Sequence, residues 1–341
     1  MIKLRANSLG MVILALIVAV ATAVAGCGEK SESTTPGQPT SLDLALDFYV
    51  NPDHAGIFEA IDRGYFRQAG LEVHPQVPSD PSAPIREVAA GRADLAVSYE
   101  PEVLIAQDQG LPVKALAALV PIPLTSLIWL KGSGISTVKD LRGKTIATAG
   151  IPYQDAYLKT ILERAGLSTG DVDSVDVQQG LLPAILSGRA NAILGGFLNV
   201  EGVDLRLRGK DPTVIPVDRL GIPTYNELVL VANSDRLASQ SREIELFITA
   251  LERGTKAAAA DPAGATKAIL EAGKGLNPQV TAAEMRKTLP LLQGTGKRPY
   301  GYMDPHEWSR FAQFFADQGV IKAVPSIADV STNDYLPHGV P

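Results

Sequence analysis

The residues of this 341-residue chain whose types suit chemistry gather in five short stretches, 48–54, 98–102, 120–124, 150–155 and 195–201. Together these hold Asp53, Glu100, Glu102, Asp155 and Glu201, and not one Lys or Arg. Beside the carboxylates stand the rings of Phe48, Tyr49, Tyr99, Tyr153 and Phe197, the amides of Asn51 and Asn199, and the imidazole of His54. A carboxylate accepts hydrogen bonds and a flat side chain stacks, so the set suits a planar, neutral or weakly cationic ring with N–H donors at its edge. A sulfonate, nitrate or phosphate would need basic side chains or a glycine-rich cradle instead.

Signals for catalysis are poor. Gly143-Lys144-Thr145 has the ending of a phosphate-binding loop, but Val138 stands where its first glycine must be. No GxSxG elbow occurs. The histidines 54, 74, 306 and 338 share no metal-binding spacing, and one cysteine forms neither an intrachain disulfide nor a cysteine zinc site. No metal and no cofactor is expected. Acidic residues at helix starts are caps more often than general acids or bases. The same bland alternative stands for Tyr99, Tyr153 and Asp155, which can pack or cap, and for Asn51, which can bond the turn backbone.

The elements that must position these residues alternate strand and helix. Leu42, Leu44, Leu46 and Phe48 alternate with more polar positions at strand period, and a helix follows from His54 to Asp62. Strands are expected at 71–77, 94–98, 113–120 and 144–149, with helices at 84–90 and 101–109. This is the pattern of an α/β protein with largely parallel sheets, in which ligands bind beyond the carboxyl ends of the strands. The five stretches lie at those ends. Ala90-Gly-Arg-Ala-Asp94 is answered by Ser187-Gly-Arg-Ala-Asn191, each before a strand, so two similar lobes are expected. Two extended apolar segments, 123–130 and 225–233, would join them and permit hinge closure. Helices at 242–260, 262–272, 281–292 and 305–317 would pack back on the first lobe, ahead of an irregular, proline-rich end. Trp129 and Trp308 read as core.

At the amino end, Lys3 and Arg5 precede an apolar run of about 17 residues closing on Val24-Ala25-Gly26-Cys27. Small residues before the sole cysteine form a bacterial lipobox, with Cys27 the lipidation site and 1–26 the signal peptide. Residues 27–41 lack a large apolar anchor and read as a disordered tether. The expected boundaries are then 42–125 for the first part of lobe 1, 126–228 for lobe 2 and 229–341 for the helical remainder of lobe 1. The net charge of −6 and pI near 5.4 disfavour nucleic acid as a partner.

Several segments bear a resemblance. Leu46-Asp-Phe-Tyr-Val-Asn-Pro-Asp-His-Ala-Gly56, Arg63-Gly-Tyr-Phe66, Ser98-Tyr-Glu-Pro-Glu102, Gly150-Ile-Pro152 and Thr332-Asn-Asp-Tyr-Leu-Pro337 resemble the bacterial binding proteins for thiamine pyrimidine precursors. The likeness runs from Leu42 to Pro337. It implies a type II periplasmic-binding-protein fold, two α/β lobes joined by two crossing segments with a cleft between. It also implies an extracytoplasmic, lipid-anchored monomer that hands an aminopyrimidine to an ABC permease and its ATPase. By the same resemblance Glu201 pairs with the ring's amino edge, Phe48 replaces a stacking tryptophan, and Phe197 substitutes for the second stacking partner. A fungal enzyme of the superfamily makes the pyrimidine from a histidine and pyridoxal phosphate. His54 matches that histidine, but no cysteine stands near 195–199, where the enzyme has its cysteine-rich motif. His54 thus has three readings: a cleft hydrogen-bonding residue, a helix-start residue, or a reactant. The alternatives in function are a sulfonate or other small-solute binder, a pyrimidine-forming enzyme, and a purely structural lipoprotein.

Overall fold

The computed structural model describes residues 38–292 and 298–337. The expected signal segment, Cys27 and the tether through residue 37 lie outside the described residues; Thr40 and Ser41, expected in the tether, instead pair with Leu71 and Glu72 in a strand.

The strands, in chain order, are β1 (Thr40–Ala45), β2 (Leu71–Gln76), β3 (Leu95–Ser98), β4 (Val113–Val120), β5 (Thr125–Leu130), β6 (Thr145–Thr148), β7 (Asp173–Asp176), β8 (Ala192–Phe197), β9 (Pro212–Pro216) and β10 (Leu228–Asn233). They form two five-stranded sheets, ordered β2-β1-β3-β10-β4 and β7-β6-β8-β5-β9. In the first sheet β2, β1 and β3 run parallel, and β10 is antiparallel to both β3 and β4. In the second, β7, β6 and β8 run parallel, and β5 is antiparallel to both β8 and β9.

The sheets are therefore mixed, where the sequence pattern predicts largely parallel ones. The antiparallel strands are the two crossing segments. A chain that arrives from the other sheet enters at the carboxyl ends of the parallel strands, so it must run down between them in the opposite sense. Both expected crossings are present, with 121–124 leading into β5 and 225–227 leading into β10.

The repeated Gly-Arg-Ala motif does the same work twice. Gly91 and Gly188 adopt left-handed φ values of 67° and 75°, which glycine takes without steric cost. Three residues later, Asp94 accepts from the Asp43 N–H at 2.8 Å while its own N–H donates to the Asp43 carbonyl. Asn191 repeats this exchange with Thr145, 2.9 Å from N–H to Oδ1. In each sheet the motif pins the start of the central strand.

Apolar runs make the central strands. Leu95–Ser98 and Leu228–Asn233 are buried at every position, as strands covered on both faces must be. β1 stops at Ala45, although alternation continues to Tyr49. The Leu46 N–H still bonds the Gln76 carbonyl, and beyond it the chain leaves the ladder, releasing residues 47–49 toward the space between the sheets.

Among the helices are α1 (Ala55–Asp62), α2 (Glu100–Asp108), α3 (Tyr153–Arg164), α4 (Glu201–Leu207), α5 (Leu237–Ala260), α6 (Pro262–Ala272), α7 (Pro278–Leu292) and α8 (Pro305–Asp317). The long α5 packs on α1 where Leu251, Gly254 and Thr255 face Gly56 and Ala60. The carboxyl-terminal helices do not confine themselves to the first sheet. α7 touches both the 52–54 turn and α4, and Phe311 of α8 lies 4.9 Å from Tyr225 and 6.4 Å from Tyr157, centroid to centroid. Trp129 and Trp308 are buried as expected.

Candidate functional site

A cavity opens between the two sheets. From the first sheet's side come Asp47, Phe48, Tyr49, Asn51 and Tyr99; from the second come Ala149, Ile151, Tyr153, Gln154, Leu181, Gly195, Phe197, Val200 and Glu201. All of these follow the carboxyl end of a strand except Gly195 and Phe197, inside β8, and Leu181, at a helix start. Five rings face the space, and no lysine, arginine or histidine is among the lining residues.

Six of the ten expected ligand residues line it: Phe48, Asn51, Tyr99, Tyr153, Phe197 and Glu201. Phe48 and Tyr49 lie 4.6 Å apart and tilted, and Tyr99 and Tyr153 meet nearly edge to face at 5.9 Å. The Asn51 amide is spent on its own turn. Its Oδ1 accepts from the Asp53 N–H at 2.8 Å and its Nδ2 donates to the Tyr49 carbonyl at 3.0 Å. That bonding shapes the 47–54 loop and presents its aromatic residues.

Glu201 opens α4, where its Oε2 accepts from the Phe197 N–H at 2.7 Å. Burial pushes its carboxyl above the usual range, and the bonds from Phe197 and the Tyr49 hydroxyl work against that push. The Tyr49 hydroxyl is itself raised well up by burial, and the charge of Glu201 adds to the effect. The site thus contains a desolvated carboxyl beside a phenol, with stacking surfaces close by.

The other four expected residues do not line the cavity. His54 lies behind it, 1% exposed. Its Nδ1 faces the Asn51 N–H at 3.3 Å and must accept there, so Nε2 carries the hydrogen toward Asp47 Oδ1 at 2.8 Å. Asp47 also accepts from the Tyr99 hydroxyl at 2.9 Å. His54 therefore orients Asp47 and stands at the helix start, the middle of its three readings. Asp155 points outward from α3 and is exposed, because Tyr153 and Gln154 take the inward positions of that first turn. Glu100 is buried against the second crossing segment, where its Oε2 accepts from both the backbone N–H (2.8 Å) and side-chain amide (2.6 Å) of Asn226. Burial raises its carboxyl to about 8.

Asn199 bridges the two sides. It follows β8, and its Nδ2 donates to Asp53 Oδ1 at 2.8 Å and to Thr288 Oγ1 of α7 at 2.7 Å. Desolvation lifts Asp53 to about 7, opposed by that bond. Glu284 of α7, facing Glu201, Asp204 and Asp53, rises to about 8, mainly through burial.

Three residues escaped the sequence reading. Asp47 reads as the polar side of a strand, but the strand has already ended. Gln154 lies between two residues singled out from the same turn. Glu227 is fully buried at the crossing, where it accepts from the N–H groups of Leu124 and Thr125, the Thr125 hydroxyl and the Tyr225 hydroxyl, at 2.6–3.0 Å. It ties one crossing segment to the other. The position of Asp47 just past a strand end was the signal that could have found it; Glu227 had none.

Known proteins place these observations in a family. The model of the family described as NMT1/THI5 like matches residues 51–265. The chain is 34% identical over 281 residues, 82% of its length and 88% of the relative's, to a Haemophilus influenzae protein named for thiamine biosynthesis. It is 32% identical over 301 residues to the formylaminopyrimidine-binding protein of Halalkalibacterium halodurans, covering 87% of this chain and 90% of that one. A 4-amino-5-hydroxymethyl-2-methylpyrimidine phosphate synthase of Schizosaccharomyces pombe is 24% identical over 305 residues, covering 86% of each chain. Among solved structures, the alkanesulfonate-binding protein of Xanthomonas axonopodis pv. citri superposes with a TM-score of 0.68 at 17% identity, covering 86% of this chain and 99% of that one. That likeness is one of fold, and the fold is that of the periplasmic binding proteins.

Proposed function

The chain belongs to the NMT1/THI5-like family, and on that premise we propose that it is the solute-binding component of an ABC importer for a thiamine pyrimidine precursor. One observation carries the reading: the space between the sheets is lined by five rings and two carboxyls, with no basic side chain among the lining residues. An aminopyrimidine is a flat ring with a donor-rich edge. Its faces are served by the rings of the cavity and its amino group by Glu201.

No chemical step is needed for this role. Ring stacking and edge bonding favour the closed arrangement of two hinged lobes, and the closed form is what a permease would accept. The lobes we assign to 42–125 with 229–341, and to 126–228. Lipidation at Cys27 would hold the monomer at the outer face of the membrane. No helix among the described residues is long and apolar enough to cross a membrane. The fungal relatives named as synthases raise the enzymatic alternative, in which a histidine is consumed. Against it, both ring nitrogens of His54 are engaged by Asn51 and Asp47, and its ring is shielded from the cavity.

Calorimetric titration with 4-amino-5-hydroxymethyl-2-methylpyrimidine, its N-formylaminomethyl counterpart and an alkylsulfonate tests the proposal. One-to-one binding of an aminopyrimidine is expected, and binding of the sulfonate alone would overturn it. A new pyrimidine product after incubation with pyridoxal phosphate would favour the enzyme instead.

A further inference from the structure

Gln154 is 1% exposed and lines the cavity. The Ala149 N–H lies 2.9 Å from its side-chain oxygen. A backbone N–H can only donate, so Oε1 must face it and Nε2 must face the other way. On that other side is Gly195, also a lining residue, at a φ of +113°. A Cβ at 195 would overlap Gln154 Nε2, so the bare Cα is what admits the amide to the cavity wall. Nε2 makes no hydrogen bond among the described residues.

A buried amide that has spent its oxygen and kept both N–H groups has a definite preference. A ligand that fills the ring-lined space without an acceptor at that point would leave the donors unmatched, which is unfavourable. The acceptors already lining the cavity are carboxyls. Asp47 is occupied on both oxygens, by His54 and Tyr99, and Glu201 is taken up at one oxygen by Phe197. The wall therefore offers acceptor capacity at Glu201 and donor capacity at Gln154. A ligand with only donors matches half of it.

We propose that Gln154 is a specificity-determining residue, whose Nε2 donates one N–H to a carbonyl oxygen on the ring substituent of the ligand and so selects an N-formylated aminopyrimidine. This deepens the function proposed above and rests on it. A carbonyl oxygen accepts one such N–H along an in-plane lone pair, whereas a methyl substituent accepts none.

The test is a pair of titrations on the purified chain and on Gln154→Glu, which keeps an oxygen for the Ala149 N–H and replaces the donor by an acceptor. The probes are the N-formylaminomethyl aminopyrimidine and 4-amino-2,5-dimethylpyrimidine, which retains the amino edge and lacks the carbonyl. The unaltered chain should bind the formylated compound at least about tenfold more tightly. Gln154→Glu should lose about tenfold or more for that compound and less than about threefold for the dimethyl one. Equal affinity of the unaltered chain for both compounds, or for the formylated and hydroxymethyl compounds, overturns the proposal even if the variant does not fold. Equal losses for both compounds in a folded variant overturn it as well, by making Gln154 a packing residue. Binding of neither compound overturns the proposed function itself, a separate result.

Discussion

Asn199 Nδ2 lies 2.8 Å from Asp53 Oδ1, although 146 residues separate them and each follows a strand of a different sheet. One hydrogen bond thus joins the two sides outside the cavity lining, and Thr288 of α7 braces it from the carboxyl-terminal side. Closure of the cleft has a polar contact of its own, apart from anything the ligand supplies.

Removing that contact should weaken closure more than it weakens either lobe. Asn199→Ala is expected to lower aminopyrimidine affinity by about five- to tenfold, since a hydrogen bond to a charged group contributes about 1.5–3 kcal/mol and part of that is recovered by water in the opened cleft. Small-angle scattering with ligand should show a larger radius of gyration than the parent. An unchanged affinity would mean the bond does not contribute to the closed state.

Glu201 faces the cavity with one oxygen held by Phe197. Glu201→Ala should weaken aminopyrimidine binding at least about tenfold, because it removes a charge-assisted bond from an enclosed site. Titration calorimetry measures this, and an affinity within about twofold of the parent would remove Glu201 from the ligand's partners.

Besides Glu201, five buried carboxyls are raised by desolvation: Asp53, Glu102 and Glu227 to about 7, Glu100 and Glu284 to about 8. Unfolded, the same groups lose their protons near 4. Between those limits the native state binds more protons than the unfolded chain, so stability falls as pH rises from about 4.5 to about 8. The melting temperature should be higher at pH 5.5 than at pH 8.5. Glu227→Gln, which keeps an oxygen for the Leu124 and Thr125 N–H groups but has no proton to lose, should flatten that slope. A melting temperature that climbs with pH would contradict this account.

Gly195 admits the Gln154 amide and adopts a backbone conformation that side chains disfavour. Gly195→Ala should therefore cost about 1–2 kcal/mol in stability from the backbone alone and reduce ligand binding by displacing Gln154. Thermal unfolding checks the first effect and titration the second. An alanine variant that melts and binds like the parent would show that the strand bends to accommodate the methyl group.

Much of the architecture was legible because burial writes periodicity into a chain. β4 and the helices 262–272 and 305–317 begin and end where the apolar pattern does. From the Gly-Arg-Ala repeat two similar lobes were expected; that their sheets share a like strand order is the structure's addition. The repeat could not foretell that the crossing strands run antiparallel, since direction within a sheet depends on where the chain enters. β1 ended before its alternation did, because Asp47 pairs with His54 and Tyr99 rather than with a neighbouring strand.

Residue types and their order were enough to put acids and rings, without cations, at the carboxyl ends of the strands. This holds because a strand's direction and the loop that follows it are local properties. Local order did not decide which of those residues converge. Asp155 and Gln154 are neighbours in one helical turn, yet the first is exposed and the second is buried against Ala149 and Gly195. Glu100 looks like a site carboxylate until Asn226, 126 positions later, takes it into the crossing. The facing of a side chain at a loop or first turn is settled by contacts between distant segments, and only the packed pair of sheets brings those segments together.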